Sequence, residues 1–288
     1  MQNILEVEHL YFSYFRKPVI RDLNMKFSQG VNVIIGENGG GKTTLFKILA
    51  GIYQPKDGRL LLNGKDFSKY NDIRRHISYL PQDFYVYPSM KVIDFLKLIC
   101  AIKGADQSEN YLQSIMQMTD LTEFCQSKMK TLSGGMMKRV GIAQALIGDP
   151  DIIIADEPTA GLDPEQRLTF NRILQSIASD RIILLSTHII EDVSSLYNQI
   201  IVFSKGAAHF SGTYEELMNS VACVELNEQE IAELNKAHVA HKTVNTTMQE
   251  GTVRYRTYIE SQTAKQMYAQ RLEKTNLLEI WSYYNDQE

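Results

Sequence analysis

The sequence predicts a doubly wound α/β core with a helical insertion, followed by a small α+β unit. A glycine-rich loop lies between a strand pattern and a helix pattern at residues 30–50. The later runs DIIIA and RIILLS are typical of strands buried on both faces of a parallel sheet. Helical patterns separate these strands, which is the order of elements in a doubly wound sheet.

The first elements are strands. ILEVEHLYFSY mixes alternating polarity with aromatic and β-branched residues, and VNVII ends at Gly36. After the glycine loop, TTLFKILAG places Leu45, Ile48 and Leu49 on one helical face. YQPKDGRLLLNG then predicts a turn, a short strand and a second turn. The helical patterns VIDFLKLICAIKG and YLQSIMQM predict a helical subdomain over about residues 84–148.

The composition shifts near residue 217, so we expect one domain over residues 1–217 and a small accessory domain over residues 218–288. In the second part VACVEL predicts a strand, and NEQEIAELNKAH and TAKQMYAQRL predict helices. Gln249-Glu250-Gly251 predicts a hairpin turn, and the chain ends near the apolar run LLEIWSYY.

Charge and hydropathy argue against several function classes. Lys and Arg number 30 against 34 Asp and Glu, a net charge of −4 that predicts no nucleic-acid partner. No apolar run approaches the roughly 18 to 20 residues of a membrane helix, and MQNILEVEHL lacks the basic start of a signal peptide. Cys100, Cys125 and Cys223 lie far apart, as reduced thiols do. We therefore expect a cytoplasmic location.

The segment GENGGGKTT matches the P-loop pattern G-x-x-x-x-G-K-[ST]. Its glycines let successive backbone N–H groups point at phosphate oxygens, and the following helix adds its positive end. The strand and helix on either side argue against the alternative of a flexible glycine turn. Lys42 is expected to reach the β- and γ-phosphates and Thr43 to coordinate Mg²⁺. The residues expected to contact the nucleotide are Gly36, Asn38, Gly39, Gly40, Gly41, Lys42, Thr43 and Thr44.

Two carboxylates follow the buried strand pattern in IIIADEP. A carboxylate that ends a strand beside the P-loop strand can hold Mg²⁺ through water, and this is the role that we expect for Asp156. Glu157 would then face the γ-phosphate as the base for the attacking water. Taken alone, Asp-Glu after a strand is more often a solvated strand end, but beside a P-loop a functional role is favoured.

Five further segments, in a fixed order, resemble the motifs of the nucleotide-binding subunit of ABC transporters. LSGGM at residues 132–136 resembles the signature motif, and Gln82 in YLPQ resembles the Q-loop. Asp163 in AGLDP resembles the D-loop, and His188 in STHII resembles the switch histidine. Tyr14, which precedes the P-loop by 22 residues, is similar to the aromatic residue that stacks on adenine. The resemblance covers residues 1 to about 217.

This resemblance implies a P-loop NTPase fold of the ABC ATPase type, with ATP and Mg²⁺ as ligands. It also implies a head-to-tail dimer with a second ATPase subunit, identical or different, whose signature residues contact the nucleotide. In this chain those residues are Ser133, Gly134 and Gly135, with Asp163 nearby.

Each motif also has a simpler interpretation. Gln82 could be a surface glutamine, Tyr14 a sheet residue and SGG a loop, so the argument depends on their common order. By the resemblance Gln82 joins Thr43 and Asp156 at the metal, and His188 joins Lys42 and Glu157 in catalysis. Met136 departs from the family, which usually has Gln there. The retained Glu157 and His188 argue for an active ATPase.

The expected function is therefore that of an ATPase subunit paired with a separately encoded transmembrane permease, at the inner face of the cell membrane. The segment DFYVYPSM, residues 83–90, would receive a short permease helix. The C-terminal unit resembles the tails of bacterial ATPase subunits that drive exporters of drugs, antimicrobial peptides or lipid-linked molecules.

Two alternatives belong to other functional classes. A soluble ABC-type ATPase of translation usually carries two cassettes, and one of DNA repair inserts a long coiled coil between P-loop and signature. This chain has one P-loop, and the 91 residues that separate Lys42 from Ser133 (133 − 42) are too few for such a coil. The second alternative is a regulator that binds ATP as a switch, which a turnover assay would distinguish from an enzyme.

Overall fold

A computed structural model describes residues 3–67, 73–84, 86–194, 196–249 and 252–285. The strands of this part of the chain are β1 (Ile4–Tyr14), β2 (Lys17–Ser28), β3 (Gly30–Ile35), β4 (Asp57–Leu62), β5 (Lys65–Asp66), β6 (Ile77–Leu80), β7 (Ile152–Ala155), β8 (Ile182–Thr187), β9 (Gln199–Ser204), β10 (Ala207–Gly212), β11 (Val221–Leu226), β12 (His241–Gln249), β13 (Thr252–Glu260) and β14 (Leu272–Glu273).

Helices occupy most of the connections. They are α1 (Lys42–Leu49), α2 (Ile73–His76), α3 (Val92–Lys103), α4 (Glu109–Met118), α5 (Gly134–Leu146), α6 (Pro164–Ile177), α7 (Tyr214–Met218), α8 (Glu228–Lys236), α9 (Ser261–Tyr268) and α10 (Leu277–Asn285). Short 3-10 helices lie at Thr122–Phe124, Met129–Thr131 and Ile190–Asp192. No helix among the described residues is long and apolar enough to cross a membrane.

The central sheet has the order β10-β9-β3-β8-β7-β6. Its strands pair in parallel except for β10, which is antiparallel to β9. Successive residues of each inner strand contribute to opposite sides, so Val31 and Val33 pack in one core cluster and Ile34 in another. This two-sided burial explains the continuous apolar runs and confirms the α/β class.

One face of the central sheet is covered by α1 and by a second, antiparallel sheet. That sheet has the order β2-β1-β4-β5, and its inward residues pack with Phe46 and Ile48 of α1. The sequence patterns predict these strands but not their separation from the central sheet, because alternation does not identify a strand's partner.

The opposite face is covered by α3, α4, α5 and α6, which share a core cluster with the strands. The predicted helical insertion is therefore present in the chain's middle part. Gly141 of α5 lies directly against β6, where an added Cβ would meet a methyl carbon of Leu80 at 2.8 Å. A glycine here permits the close approach of helix and strand.

The C-terminal part forms a third sheet, with the order β12-β13-β11-β14. One side of this sheet packs with α8 and α9 through Leu234 and Ala264. On the other side Cys223 and Tyr258 belong to the main core cluster, together with α10. The small α+β unit is present. Glu250 and Gly251 of the predicted hairpin turn lie outside the described residues, and the domain boundary near residue 217 stays a prediction.

Candidate functional site

The glycine loop leads from the end of β3 into the first turn of α1. Gly36 follows β3, and its N–H donates to the carbonyl of Thr187 at the end of β8, at 3.2 Å. Gly39 and Gly41 have φ values of +84° and +106°, which side chains rarely adopt, and Gly41 is the N-cap of α1. The loop therefore wraps around the positive end of a helix dipole, as a phosphate site requires.

Lys42 is the first residue of α1, and its ammonium lies inside the loop. The side chain is 4% exposed, and Nζ donates to the carbonyl oxygens of Gly36 at 2.6 Å and Glu37 at 3.0 Å. Burial lowers the pKa of Lys42, while the negative charges of Glu157, Asp156 and Glu37 oppose that shift. The Nζ to Glu157 Oε1 distance is 3.9 Å, so the loop and the end of β7 form one site.

The two carboxylates after β7 depend on one hydroxyl of the neighbouring strand. Ser186 of β8 is fully buried, and its Oγ donates to Asp156 Oδ1 at 2.5 Å. The same Oγ accepts the backbone N–H of Glu157 at 2.9 Å. Tyr79 Oη also donates to Asp156, at 3.4 Å. Ser186 was not predicted from the sequence, because its register beside Asp156 follows only from the strand order.

Glu157 is the point where the predicted catalytic side chains meet. It has a φ of +46°, a strained conformation that costs of order 1–3 kcal/mol in a non-glycine residue. Its Oε2 lies 3.0 Å from His188 Nδ1 and accepts from Gln82 Nε2 at 3.2 Å. The carboxylate is 8% exposed, whereas the His188 side chain is 39% exposed. The structure thus brings together Lys42, Gln82, Glu157 and His188.

A cleft of about 740 Å³ opens beside these residues. Tyr14 lines it, and Tyr14 Oη lies 3.2 Å from Thr44 Oγ1. Tyr14 also packs edge-on against Phe12 and Tyr53, which fixes its ring at the cleft wall. The other predicted residues that line the cleft are Asn38, Gly39, Gly40, Gly41, Lys42, Thr43, Thr44, Gln82 and Glu157.

Three cations that the sequence did not single out also line the cleft. They are Lys17 and Arg21 of β2 and Lys205 of the β9–β10 turn. Within the described part of the chain their side chains make no ion pair or hydrogen bond. The next residue, Gly206, donates its N–H to the Gly40 carbonyl at 3.0 Å, so this turn is joined to the glycine loop. The cleft therefore carries positive charge beyond Lys42, suited to a polyanion.

The signature residues and Asp163 lie outside this cleft. Ser133 is the N-cap of α5, where its Oγ accepts from the Met136 N–H at 3.3 Å. Asp163 caps α6 in the same way, through the Gln166 N–H at 2.9 Å. Ser133 and Gly134 are exposed and Gly135 is buried. One chain thus presents a second helix N-terminus, that of α5, to a surface separate from its own cleft.

The segment at residues 83–90 follows Gln82 directly. Phe84 packs edge-on against Phe95 of α3, with ring centroids 5.9 Å apart, and Tyr87 is 63% exposed. Lys138 of α5 donates to the Gln82 carbonyl at 3.3 Å. This segment therefore connects Gln82 to the helical layer, although Tyr85 lies outside the described residues.

The residues present fit a hard divalent cation held beside phosphates. Thr43, Gln82 and Asp156 offer a hydroxyl, an amide oxygen and a carboxylate, which are the oxygen ligands that Mg²⁺ prefers. Gln82 uses Nε2 toward Glu157, so its amide oxygen is left for another partner. Among the described residues no cluster of three or more His, Cys, Asp or Glu side chains could hold a metal alone. Mg²⁺ bound through one or two side chains and substrate phosphates needs no such cluster.

Comparison with protein families gives a match to the family model described as "ABC transporter", over residues 20–160. The Nod factor export ATP-binding protein I of Cupriavidus pinatubonensis is 32% identical over 222 residues, which cover 75% of this chain and 68% of that protein. The spermidine/putrescine import ATP-binding protein PotA of Spiroplasma citri is 33% identical, over 75% of this chain and 63% of its own length.

Other relatives are much longer. Mouse ATP-binding cassette sub-family A member 17 is 32% identical over 219 residues, and the chain spans only 13% of its length. Among solved structures, cbiO1 from Clostridium perfringens, part of an ABC transporter complex, has a TM-score of 0.68 at 26% identity. That match covers 82% of this chain and 96% of cbiO1.

Proposed function

Because the chain belongs to the ABC transporter family and carries its ATP-hydrolysing ATP-binding domain, we propose that it powers a separately encoded transmembrane permease in export. In this proposal it works at the inner face of the cell membrane as one half of a head-to-tail dimer. The observation that supports ATP turnover best is the meeting of Lys42, Gln82 and His188 around Glu157.

The positions of the side chains suggest a separate role for each in ATP binding and hydrolysis. Lys42 and the N–H groups of the glycine loop bind the β- and γ-phosphates, and Tyr14 stacks on the adenine. Glu157 accepts a proton from the attacking water. His188 and Gln82 both hold Oε2 of Glu157, and this orients the carboxylate.

Mg²⁺, held by Thr43, Asp156 and Gln82, would neutralise charge on the phosphate oxygens. Ser186 orients Asp156 and the backbone of Glu157 for these roles.

The partner chain completes each site in the proposed dimer. The exposed N-terminus of α5 offers the Ser133 hydroxyl and backbone N–H groups outward, toward a phosphate held by another chain. Met136 contributes its backbone N–H to the cap of this helix. Because that N–H does not depend on the side chain, the departure from the usual glutamine leaves the cap intact.

Glu157→Gln tests the chemistry. The substitution preserves the shape of the side chain and removes its basicity, so MgATP should still bind while kcat falls by about 10²- to 10⁴-fold. Binding is measured by calorimetry and turnover by phosphate release. Lys42→Ala serves as the control that loses binding as well. Hydrolysis at the wild-type rate in Glu157→Gln would remove Glu157 from the catalytic role.

Export and the permease need a membrane assay. The short C-terminal unit and the Nod factor export relative support export, whereas PotA is named for import. The tagged chain is purified from detergent extracts, and the membrane protein that accompanies it is expressed with it. In inside-out vesicles export predicts ATP-dependent accumulation of cargo, and Glu157→Gln abolishes it. ATP-dependent loss of cargo from preloaded vesicles would instead mean import.

A further inference from the structure

A buried carboxylate outside the predicted site joins the segments that carry His188 and Asp163. Asp192 ends the 3-10 helix after His188, and its side chain is 4% exposed. Its Oδ2 accepts from Thr159 Oγ1 at 2.6 Å and from Thr187 Oγ1 at 3.4 Å. Its Oδ1 accepts from Arg167 Nη1 at 3.2 Å. One side chain thus contacts the segment after β7, strand β8 and helix α6.

Two of these contacts reach the segment between Glu157 and α6. Thr159 lies two residues after Glu157, and its residue is 4% exposed. Arg167 of α6 donates through Nε to the carbonyl of Leu162, at 3.0 Å. Leu162 directly precedes Asp163. Asp192 therefore holds both ends of the segment at residues 159–163, directly at Thr159 and through Arg167 at Leu162.

The third contact reaches the switch histidine. Thr187 directly precedes His188, and its Oγ1 also accepts the Ile189 N–H at 2.9 Å. The hydroxyl of Thr187 therefore links both neighbours of His188, Thr187 and Ile189, to the carboxylate of Asp192. His188 itself lies against Glu157. His188 is therefore connected to Asp192 through the backbone and through the hydrogen bonds of Thr187.

The energetics favour a coupled unit. Hydrogen bonds to a buried carboxylate are charge-assisted and about twice as strong as neutral ones. If one of these hydrogen bonds breaks, a buried polar group loses its partner, which costs free energy. We therefore expect Asp192 and its hydrogen-bond donors to move together.

We propose that Asp192 is a positioning residue that couples His188 of one site to the Asp163 segment. This rests on the proposed dimer, in which Asp163 faces the partner's nucleotide. The arrangement of His188 at one nucleotide is thereby transmitted to the opposing one, and the two sites hydrolyse ATP cooperatively. Asp192 touches neither nucleotide.

Asp192→Asn and Thr159→Val each remove part of the network while preserving side-chain volume. In each variant we expect ATP affinity, measured in the Glu157→Gln background, to stay within about threefold of its value in that background. With Glu157 intact, we expect the maximal hydrolysis rate to fall about tenfold. The Hill coefficient of hydrolysis is expected to exceed one in the wild type and to fall to about one in both variants. The double variant should have a hydrolysis rate and a Hill coefficient no lower than those of Asp192→Asn, because both changes disrupt one unit.

Tyr197→Phe is the matched control. Tyr197 is buried, and its hydroxyl donates to Asn171 of α6 at 3.3 Å, so the change removes a hydrogen bond to the same helix but none of the hydrogen bonds that Asp192 accepts. It should leave the Hill coefficient unchanged. A wild-type Hill coefficient of one, or variants that keep wild-type cooperativity, would overturn the coupling. Absence of any wild-type hydrolysis would instead overturn the proposed function. Thr159→Val decides the matter if Asp192→Asn does not fold.

Discussion

Ser186 shows how much of the site depends on one side chain. A single hydroxyl donates to Asp156 and accepts the N–H of Glu157, whose backbone is strained. The hydroxyl has one hydrogen and two lone pairs, so it can make both bonds at once. It therefore orients the proposed metal ligand and the proposed base together.

We predict that Ser186→Ala lowers kcat about tenfold and the free energy of unfolding by about 1–3 kcal/mol, because a buried N–H and a buried carboxylate oxygen lose a partner. Turnover and urea unfolding measure the two effects. Ser204→Ala is the control, since Ser204 is also buried at a strand end but bonds His209. An unchanged kcat in Ser186→Ala would show that the carboxylates hold their positions without it.

The site residues that the sequence predicted differ in one physical respect from those that it missed. Local sequence patterns predicted Lys42, Glu157 and His188, which lie in a glycine loop or at the end of an apolar run. Such patterns indicate a chemical role without knowledge of the fold. Ser186 and Asp192 become functional only through neighbours that are distant in the chain. Ser186 meets Asp156 because β7 and β8 are adjacent, and local periodicity does not determine that adjacency.

At the scale of elements, the two helix N-termini that we propose to contact phosphate differ in their surroundings. The N-terminus of α1 is enclosed by the glycine loop and faces the cleft, whereas that of α5 is exposed. The sequence predicted a helix after the glycine loop and placed Ser133 in a segment that resembles the signature motif. It could not show that the two N-termini face different surfaces of the same chain, because that depends on how the helical layer packs on the central sheet.

Ser133→Asp distinguishes the capping of α5 from the proposed contact with a phosphate of the partner chain. Aspartate is as good an N-cap as serine, so the helix should stay folded. Its negative charge, however, would oppose a phosphate held by the partner chain. We predict that MgATP drives Glu157→Gln into dimers and that adding Ser133→Asp prevents this, as measured by light scattering. The control is Ser114→Asp, at an exposed position of α4. Equal dimerisation of both variants would exclude the head-to-tail arrangement.

At the scale of the whole molecule, the C-terminal unit is joined to the ATP-binding core. Ile280, Tyr283 and Tyr284 of α10 lie in the same buried cluster as the central strands, and Tyr284 packs against Phe210 of β10. Asn285 at the end of α10 donates to the carboxylate of Glu37 in the glycine loop. The composition shift near residue 217 pointed to a separate unit. The apolar run LLEIWSYY indicated a buried helix without identifying the surface that buries it.

This shared core predicts that the chain unfolds as one cooperative unit. Trp281, the only tryptophan, lies on α10 and reports on the C-terminal unit, while loss of bound nucleotide reports on the cleft. The two probes should give coincident denaturant transitions. Tyr284→Ala removes a side chain that is 7% exposed, so it should lower the free energy of unfolding by about 2–4 kcal/mol. Both transitions should then move to lower denaturant concentrations.

Met267→Ala is the control for this experiment, because Met267 lies on α9 of the same unit and is 43% exposed. It should move neither transition by more than about 0.5 kcal/mol. If the C-terminal unit were an independent domain, Tyr284→Ala would move the Trp281 transition and leave the nucleotide transition in place. Coincident shifts mean that the contacts of α10 contribute to the stability of the ATP site, since the site and the helix share one core.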